Sequence, residues 1–79
     1  MEEFVIDNYK VQSNGHDGGR KYIISKIIYK GIERRLIILF ESKTEESKLS
    51  EINNNLSVKG NLIDEGIKQD LMLLDSKII

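Results

Sequence analysis

The sequence predicts a mostly β protein with five strands and one short helix, forming a single small domain over residues 1–79. Three observations support this fold class. β-Branched and aromatic residues are concentrated in short runs, which is typical of strands. Glycine, asparagine and aspartate lie between those runs, where turns require positive φ or local side-chain hydrogen bonds. A single segment, after residue 41, has apolar residues at helical spacing.

The first strand is predicted over residues 3–12. Its apolar residues begin with Phe4-Val5-Ile6 and continue at Tyr9, and the alternation slips by one position across Asp7-Asn8. A slip of one residue is typical of a β-bulge. Residues 13–19 are predicted to be a loop, because they combine three glycines with asparagine and aspartate.

The second and third strands are predicted over residues 21–29 and 32–41. Lys30-Gly31 lies between them and supplies the glycine that a tight connection needs, so the two strands are expected to form a β-hairpin. Apolar residues fall on both faces of each strand.

A helix is predicted after Glu41. Ser42-Lys43-Thr44-Glu45 has the spacing of a capping box, and acids in a first helical turn interact favourably with the helix dipole. Three apolar residues then lie three and four positions apart and form one narrow stripe: Leu49, Ile52 and Leu56. Asn53-Asn54-Asn55 are poor helix formers, so the helix is limited to about three turns.

The last two strands are predicted over residues 57–63 and 71–74. Asp64-Glu65-Gly66 turns the chain between them. Gly60, at the middle of the fourth strand, indicates a bulge or a strong bend.

The resulting order is β-β-β-α-β-β, with the helix between strands 3 and 4. This order resembles the oligonucleotide/oligosaccharide-binding (OB) fold, a five-stranded Greek-key barrel. The closing hairpin carries the resemblance best, with Val58-Lys59-Gly60-Asn61-Leu62 followed by residues 71–79. The resemblance covers nearly the whole chain. A two-layer sandwich with the helix on one face, or a β-grasp-like arrangement, would also fit these elements.

The distribution of charge is uneven although the formal net charge is only −1. Residues 8–40 contain seven bases and two acids, whereas residues 44–79 contain four bases and seven acids. In the OB fold, strands 2 and 3 and the loop after strand 1 contribute to the ligand-binding face. The basic stretch coincides with these elements.

The resemblance therefore implies a non-catalytic protein that binds single-stranded DNA or RNA. Such binding combines bases that contact phosphates with aromatic rings on which nucleobases stack. Tyr9, Tyr22 and Tyr29 are the aromatic candidates, with Tyr22 and Tyr29 on the second strand. The candidates for phosphate contacts are Arg20, Lys21, Lys26, Lys30, Arg34 and Arg35.

Other chemistries find little support. The chain has no cysteine and one histidine, His16, so no disulfide or transition-metal set can be assembled from it. Asp64, Glu65, Asp70 and Asp75 match no EF-hand spacing and are interpreted as solvated turn charges. The glycines of the first loop lack the G-K-S/T ending of a phosphate-binding loop. We therefore predict no enzymatic activity, no cofactor and no metal.

An alternative interpretation is a protein-interaction module, such as an inhibitor or an assembly subunit of phage or mobile-element origin. A small barrel cannot bury both faces of its strands, so Ile37, Leu39 and either the Ile23 or the Ile24 set are expected to meet a protein partner or a second copy. The longest apolar run has five residues, too short to span a bilayer. The acidic N-terminus lacks the pattern of a secretory signal, so the expected location is cytoplasmic.

Overall fold

The computed structural model describes residues 1–14, 19–51 and 55–79. Within them the chain is mostly β, as predicted, with six strands, one short α-helix and one 3₁₀ turn. The strands are β1 (Glu2–Ile6), β2 (Tyr9–Asn14), β3 (Arg20–Tyr29), β4 (Ile32–Phe40), β5 (Leu56–Ile63) and β6 (Leu71–Ile78). The helix α1 covers Lys43–Ser47 and the 3₁₀ turn covers Lys48–Glu51. No helix in these ranges is both long and apolar enough to cross a membrane.

The prediction of five strands was wrong. The predicted first strand divides at Asp7-Asn8 into β1 and β2, which pair with different strands: β1 with β5 and β2 with β3. The backbone carbonyl of Asn8 accepts a hydrogen bond from the Ser25 hydroxyl at 2.7 Å, outside the ladder. The helix therefore follows the fourth strand of the structure, and the predicted order β-β-β-α-β-β is corrected to β-β-β-β-α-β-β.

All six strands belong to one sheet with the order β1-β5-β6-β4-β3-β2. The pair β4 and β6 is parallel, and the other neighbouring pairs are antiparallel. β1 and β2 occupy opposite ends of this order although only two residues separate them in the chain. The sheet is consequently curled into a half-barrel.

The concave side of the sheet holds the hydrophobic core. Strand alternation explains its composition, because successive side chains of a strand point to opposite faces. On β4, Leu36, Ile38 and Phe40 are buried, whereas Ile37 and Leu39 are only partly covered. The buried apolar side chains of the described residues are Ile6, Ile23, Leu36, Ile38, Phe40, Leu56, Val58, Leu71 and Leu73.

The predicted hairpin is confirmed. β3 and β4 pair antiparallel from Tyr22 with Leu39 to Tyr29 with Ile32. Lys30 and Gly31 both have positive φ, 51° and 79°. Two central residues with positive φ define a type I′ turn, whose twist matches that of a two-stranded ribbon.

The irregularity predicted at Gly60 is also confirmed. The β5–β6 register shifts between Lys59 and Asn61, and Asp75 on β6 has a φ of 51°. Gly60 is buried against β6, where an added Cβ would lie 2.7 Å from both the Leu74 carbonyl oxygen and the Ser76 hydroxyl. Only a residue without a side chain fits at this point of the β5–β6 ladder without displacing its neighbours.

The helix begins as predicted and is shorter than predicted. Ser42 is its N-cap, and the Ser42 hydroxyl accepts a hydrogen bond from the Glu45 backbone N–H at 3.3 Å. α1 has five residues and passes directly into the 3₁₀ turn. The predicted end was Asn53-Asn54-Asn55, of which Asn53 and Asn54 lie outside the described residues and Asn55 lies outside the helix.

Candidate functional site

The convex side of the sheet carries the candidate site, which we call the outer face. It consists of side chains that alternate with core residues, and the strand registers place them in rows across the sheet. One row runs Lys10, Ile24, Ile37, Met72 and Ile63 over five strands. A second row runs Gln12, Tyr22 and Leu39, and a third places Lys26 opposite Arg35.

The side chains at one end of the outer face line a shallow groove, which we call the basic groove. Its polar lining includes three cationic side chains, Lys10, Lys26 and Arg35, with Ile24 between them. All three cations are exposed. The full lining is Asn8, Tyr9, Lys10, Gln12, Ile24, Ser25, Lys26 and Arg35.

Arg35 is paired with Asp70 at 3.0 Å, but both side chains remain open to water, at 52% and 39% exposure. Exposed ion pairs of this kind typically contribute less than about 1 kcal/mol. A phosphate could therefore compete with Asp70 for the guanidinium at little cost. Arg35 can therefore contact a phosphate in the basic groove although its guanidinium is paired with the Asp70 carboxylate.

Arg34, also predicted to contact phosphates, has a different environment. Its side chain is only 7% exposed, and its Nη2 donates to the Asp64 carboxylate at 3.0 Å and to the Gly66 and Gln69 carbonyls at 2.8 and 3.0 Å. The Arg34 hydrogen bond, with one from the Gly66 backbone N–H, lowers the pKa of Asp64. Arg34 thus ties the β5–β6 connection to β4.

Arg20 is likewise engaged within the protein. Its guanidinium pairs with the buried carboxylate of Glu46 and donates to the Phe40 carbonyl at 2.9 Å. Burial alone would raise the pKa of Glu46, but hydrogen bonds from the Lys21 backbone N–H and from Arg20 outweigh burial and leave that pKa below its usual value. Arg20 therefore anchors α1 to the start of β3.

The remaining candidates lie at different places. Tyr22 is on the outer face beside the basic groove. Tyr29 and Lys30 lie at the β3–β4 turn, where the Tyr29 ring contacts Phe4 and the Lys30 ammonium lies 5.4 Å from the Tyr29 ring centre. The Lys21 side chain is exposed near the first residue of β3. The structure therefore brings together Tyr22, Lys26 and Arg35, with Tyr9 also in the groove lining. It places five candidates elsewhere: Arg20, Lys21, Tyr29, Lys30 and Arg34.

Lys10 and Gln12 are among the groove residues that the sequence prediction missed. Both belong to β2, whose register places Lys10 opposite Ile24 and Gln12 opposite Tyr22. Their alternation with Tyr9 and Val11 was the available signal, because it places them on the face opposite to the apolar residues of the strand.

The outer face also carries apolar side chains that the core does not use. Ile23 is fully buried. Of the two isoleucine sets on β3, the set that contains Ile24 therefore points outward. Ile24 joins Ile37 and Met72 in one row of half-buried residues, and Ile63 at the end of that row is 38% exposed. This row has a continuous aliphatic surface across four strands.

The described part of the chain shows no candidate metal site. No group of three or more histidine, aspartate or glutamate side chains lies close enough there to hold a metal ion. Asp64 and Asp70 pair with Arg34 and Arg35. His16 lies outside the described residues. Comparison with known proteins adds no further assignment, because no family model, curated protein or solved structure matches this chain.

Proposed function

We propose that this chain is a non-catalytic binding domain of OB type that holds single-stranded nucleic acid in the basic groove. The curled sheet supports the fold assignment, because β1 and β2 are consecutive in the chain and occupy the two ends of the sheet order, as in a partly open barrel. The short helix α1 lies between the β3–β4 hairpin and the closing β5–β6 pair.

The observation that carries the ligand assignment is the convergence of Lys10, Lys26 and Arg35 on one groove next to Tyr22. Cationic side chains follow a phosphate backbone, and an aromatic ring beside them offers a stacking surface to a base. Ile24 and Ile37 extend that surface with aliphatic groups. Because stacking relies mainly on Tyr22, the affinity should depend chiefly on phosphate contacts and therefore on salt.

The test is fluorescence anisotropy of a labelled oligo-dT at about 50 and 200 mM salt, the range over which phosphate contacts become visible. Charge reversal of Lys10 and Lys26 is expected to reduce the affinity at least tenfold and to lower the salt slope by about 0.7 for each phosphate that is no longer neutralised. Tyr22→Leu keeps an apolar side chain but removes the ring, and we expect about a tenfold weaker affinity because a stacked base contributes about 1–3 kcal/mol.

Lys59→Glu is the control for each single reversal, because β6 and β4 separate its strand from β3 and it makes the same change of charge as Lys10→Glu or Lys26→Glu. Its affinity should stay within twofold of the parent chain. The assignment would be contradicted if the affinity of the parent chain did not change with salt. It would also be contradicted if the groove variants and the control variant lost affinity to the same extent. Arg34 is left unchanged in these variants, because its reversal would place a carboxylate among carbonyl oxygens.

A second candidate function, docking of a protein partner or a second copy, is favoured by the aliphatic row of Ile24, Ile37, Met72 and Ile63. Large apolar patches on a surface commonly mark such contacts. Molar mass measured over a range of concentrations distinguishes the two functions. A mass that rises with concentration and returns to the monomer value in Ile37→Glu, without any binding of oligo-dT, would favour the second function.

A further inference from the structure

An open seam separates β1 from the second half of β3. β1 pairs with β5 along one edge. β3 pairs with β4 over most of its length, but its ladder with β2 stops where Tyr9 faces Ser25. No described strand lies against the remaining edge of β1 or against the same edge of β3 from Lys26 to Tyr29. A cleft lies there, lined by residues 4–7 and 25–28.

Side chains of β1 and β3 already meet across the seam at one point. The Phe4 and Tyr29 rings contact each other with their centres 6.5 Å apart, on the core side of the two strands. β1 and β3 run in opposite directions, as the chain of paired neighbours between them requires. An antiparallel ladder continued from Phe4 opposite Tyr29 places Val5 opposite Ile28.

Every outward pair in that register is complementary. Val5 and Ile28 are each 69% exposed, an unusual position for two large aliphatic side chains beside unpaired strand edges. On one side of them Glu3 would face Lys30, and on the other Asp7 would face Lys26. Apolar and opposite-charge pairs directly across a ladder stabilise a sheet.

The register also fits the chain at Asp7-Asn8. The β1–β3 register continued from Phe4 and Tyr29 differs by one residue from the register of β2 with β3. A bulge absorbs one extra residue in one strand, and Asn8 occupies that position, with its carbonyl already bonded to the Ser25 hydroxyl. β1 and β2 can therefore become one continuous strand without any other change of register.

We propose that the domain has a second, closed state in which β1 pairs with β3 and seals the seam while keeping its ladder with β5. Closure covers Val5 with Ile28 and supplies hydrogen-bond partners to the free edges of both strands. In the open state those two strand edges remain unpaired, so they are accessible only in that state.

Closure also affects the basic groove, because Lys26 lines both the groove and the seam. In the closed state Asp7 lies opposite Lys26 and neutralises one of the three groove cations. This coupling rests on the proposed function, whereas the existence of the closed state does not. Nucleic acid and closure are expected to compete.

The chain contains no cysteine, so a single engineered pair reports closure directly. Val5→Cys with Ile28→Cys is the test pair, because a disulfide needs Cα atoms about 4.4–6.8 Å apart and opposed residues of an antiparallel ladder meet that requirement. Both positions are largely exposed, so the core is undisturbed. Val5→Cys with Lys26→Cys is the control, with the second cysteine on the same face two residues out of register.

In a glutathione redox buffer the test pair should oxidise at least tenfold faster than the control pair and give a monomer on a non-reducing gel. Equal rates, or cross-linking only between chains, would overturn the closed state. The oxidised test protein should bind oligo-dT at least threefold more weakly than the same protein after reduction. If neither form binds oligo-dT, the proposed function fails while the cross-linking result still decides the closed state.

Discussion

Replacing Gly60 with alanine tests the packing of the sheet at its tightest point. Gly60 has no positive φ, so alanine is compatible with its backbone, and the substitution alone would stabilise the protein by about 0.4–1 kcal/mol through the unfolded chain. The new methyl group would lie 2.7 Å from the Leu74 carbonyl oxygen and from the Ser76 hydroxyl, and 3.0 Å from Leu73 Cγ. The first of these is backbone and cannot rotate away.

The steric term is therefore expected to exceed the entropic one. Overpacking by one methyl group costs about 1–3 kcal/mol. Displacement of the Ser76 hydroxyl would also weaken its hydrogen bond to the Leu73 carbonyl, at 2.9 Å, which adds about 1 kcal/mol. The net destabilisation is about 2 kcal/mol, which corresponds to a Tm lower by about 8–16 °C in a domain of this size.

Urea and thermal unfolding followed by far-UV circular dichroism measure this destabilisation, since the chain has no tryptophan. Gly31 provides the comparison, because a Cβ there meets nothing within 4 Å and its φ is 79°. Asparagine tolerates positive φ, so Gly31→Asn should cost less than Gly31→Ala, whereas Gly60→Asn should cost more than Gly60→Ala. A Gly60→Ala protein as stable as the parent chain would refute the reasoning.

Two further predictions concern the groups that hold α1 and β6. Glu46 has a lowered pKa in the folded state, so its contribution to stability is present above its ordinary value of 4.5 and is lost as the pH falls through the folded-state pKa. Glu46→Gln should lower stability at neutral pH by about 2 kcal/mol. It should also flatten the loss of stability that urea unfolding measures as the pH falls below 4.5, and an unchanged loss would count against this role. Asp75 has a φ of 51°, so Asp75→Ala should cost about 1 kcal/mol and Asp75→Gly clearly less, and the reverse order would show that the left-handed backbone is not the cause.

The elements governed by local chemistry could be predicted from the sequence. Lys30-Gly31 indicated a tight hairpin because glycine adopts positive φ at no steric cost. Ser42 indicated the start of the helix because its hydroxyl can accept a hydrogen bond from a backbone N–H three residues later. Gly60 indicated an irregular strand. Each of these features depends on residues within a few positions of one another.

The roles of the charged residues depend on partners that are distant in the chain. The carbonyl acceptors of Arg34 at Gly66 and Gln69 lie more than 30 residues away, and the Glu46 carboxylate that binds Arg20 lies 26 residues away. The local pattern contained part of the answer, since Arg34 alternates in phase with Leu36 and Ile38 and so points toward the core. Its adjacency to Arg35 instead suggested that both belonged to one basic surface.

The division between β1 and β2 has the same origin. Residues 3–12 are predicted as one strand because strand-forming residues recur throughout the segment. β1 pairs with β5 and β2 pairs with β3. These partners lie elsewhere in the chain, so no pattern within residues 3–12 indicates the division.

The spacing of paired strands along the chain also determines how the domain folds. The β3–β4 ladder closes across two residues, whereas β1 meets β5 with Glu2 facing Gly60, and β4 meets β6 with Leu36 facing Leu71. Contacts between distant positions require large loops to close, and the entropy of loop closure is lost before packing can stabilise the contact. We therefore expect the hairpin to form first and the rate of folding to be limited by the search for the long-range ladders, on the millisecond-to-second scale of β-rich domains.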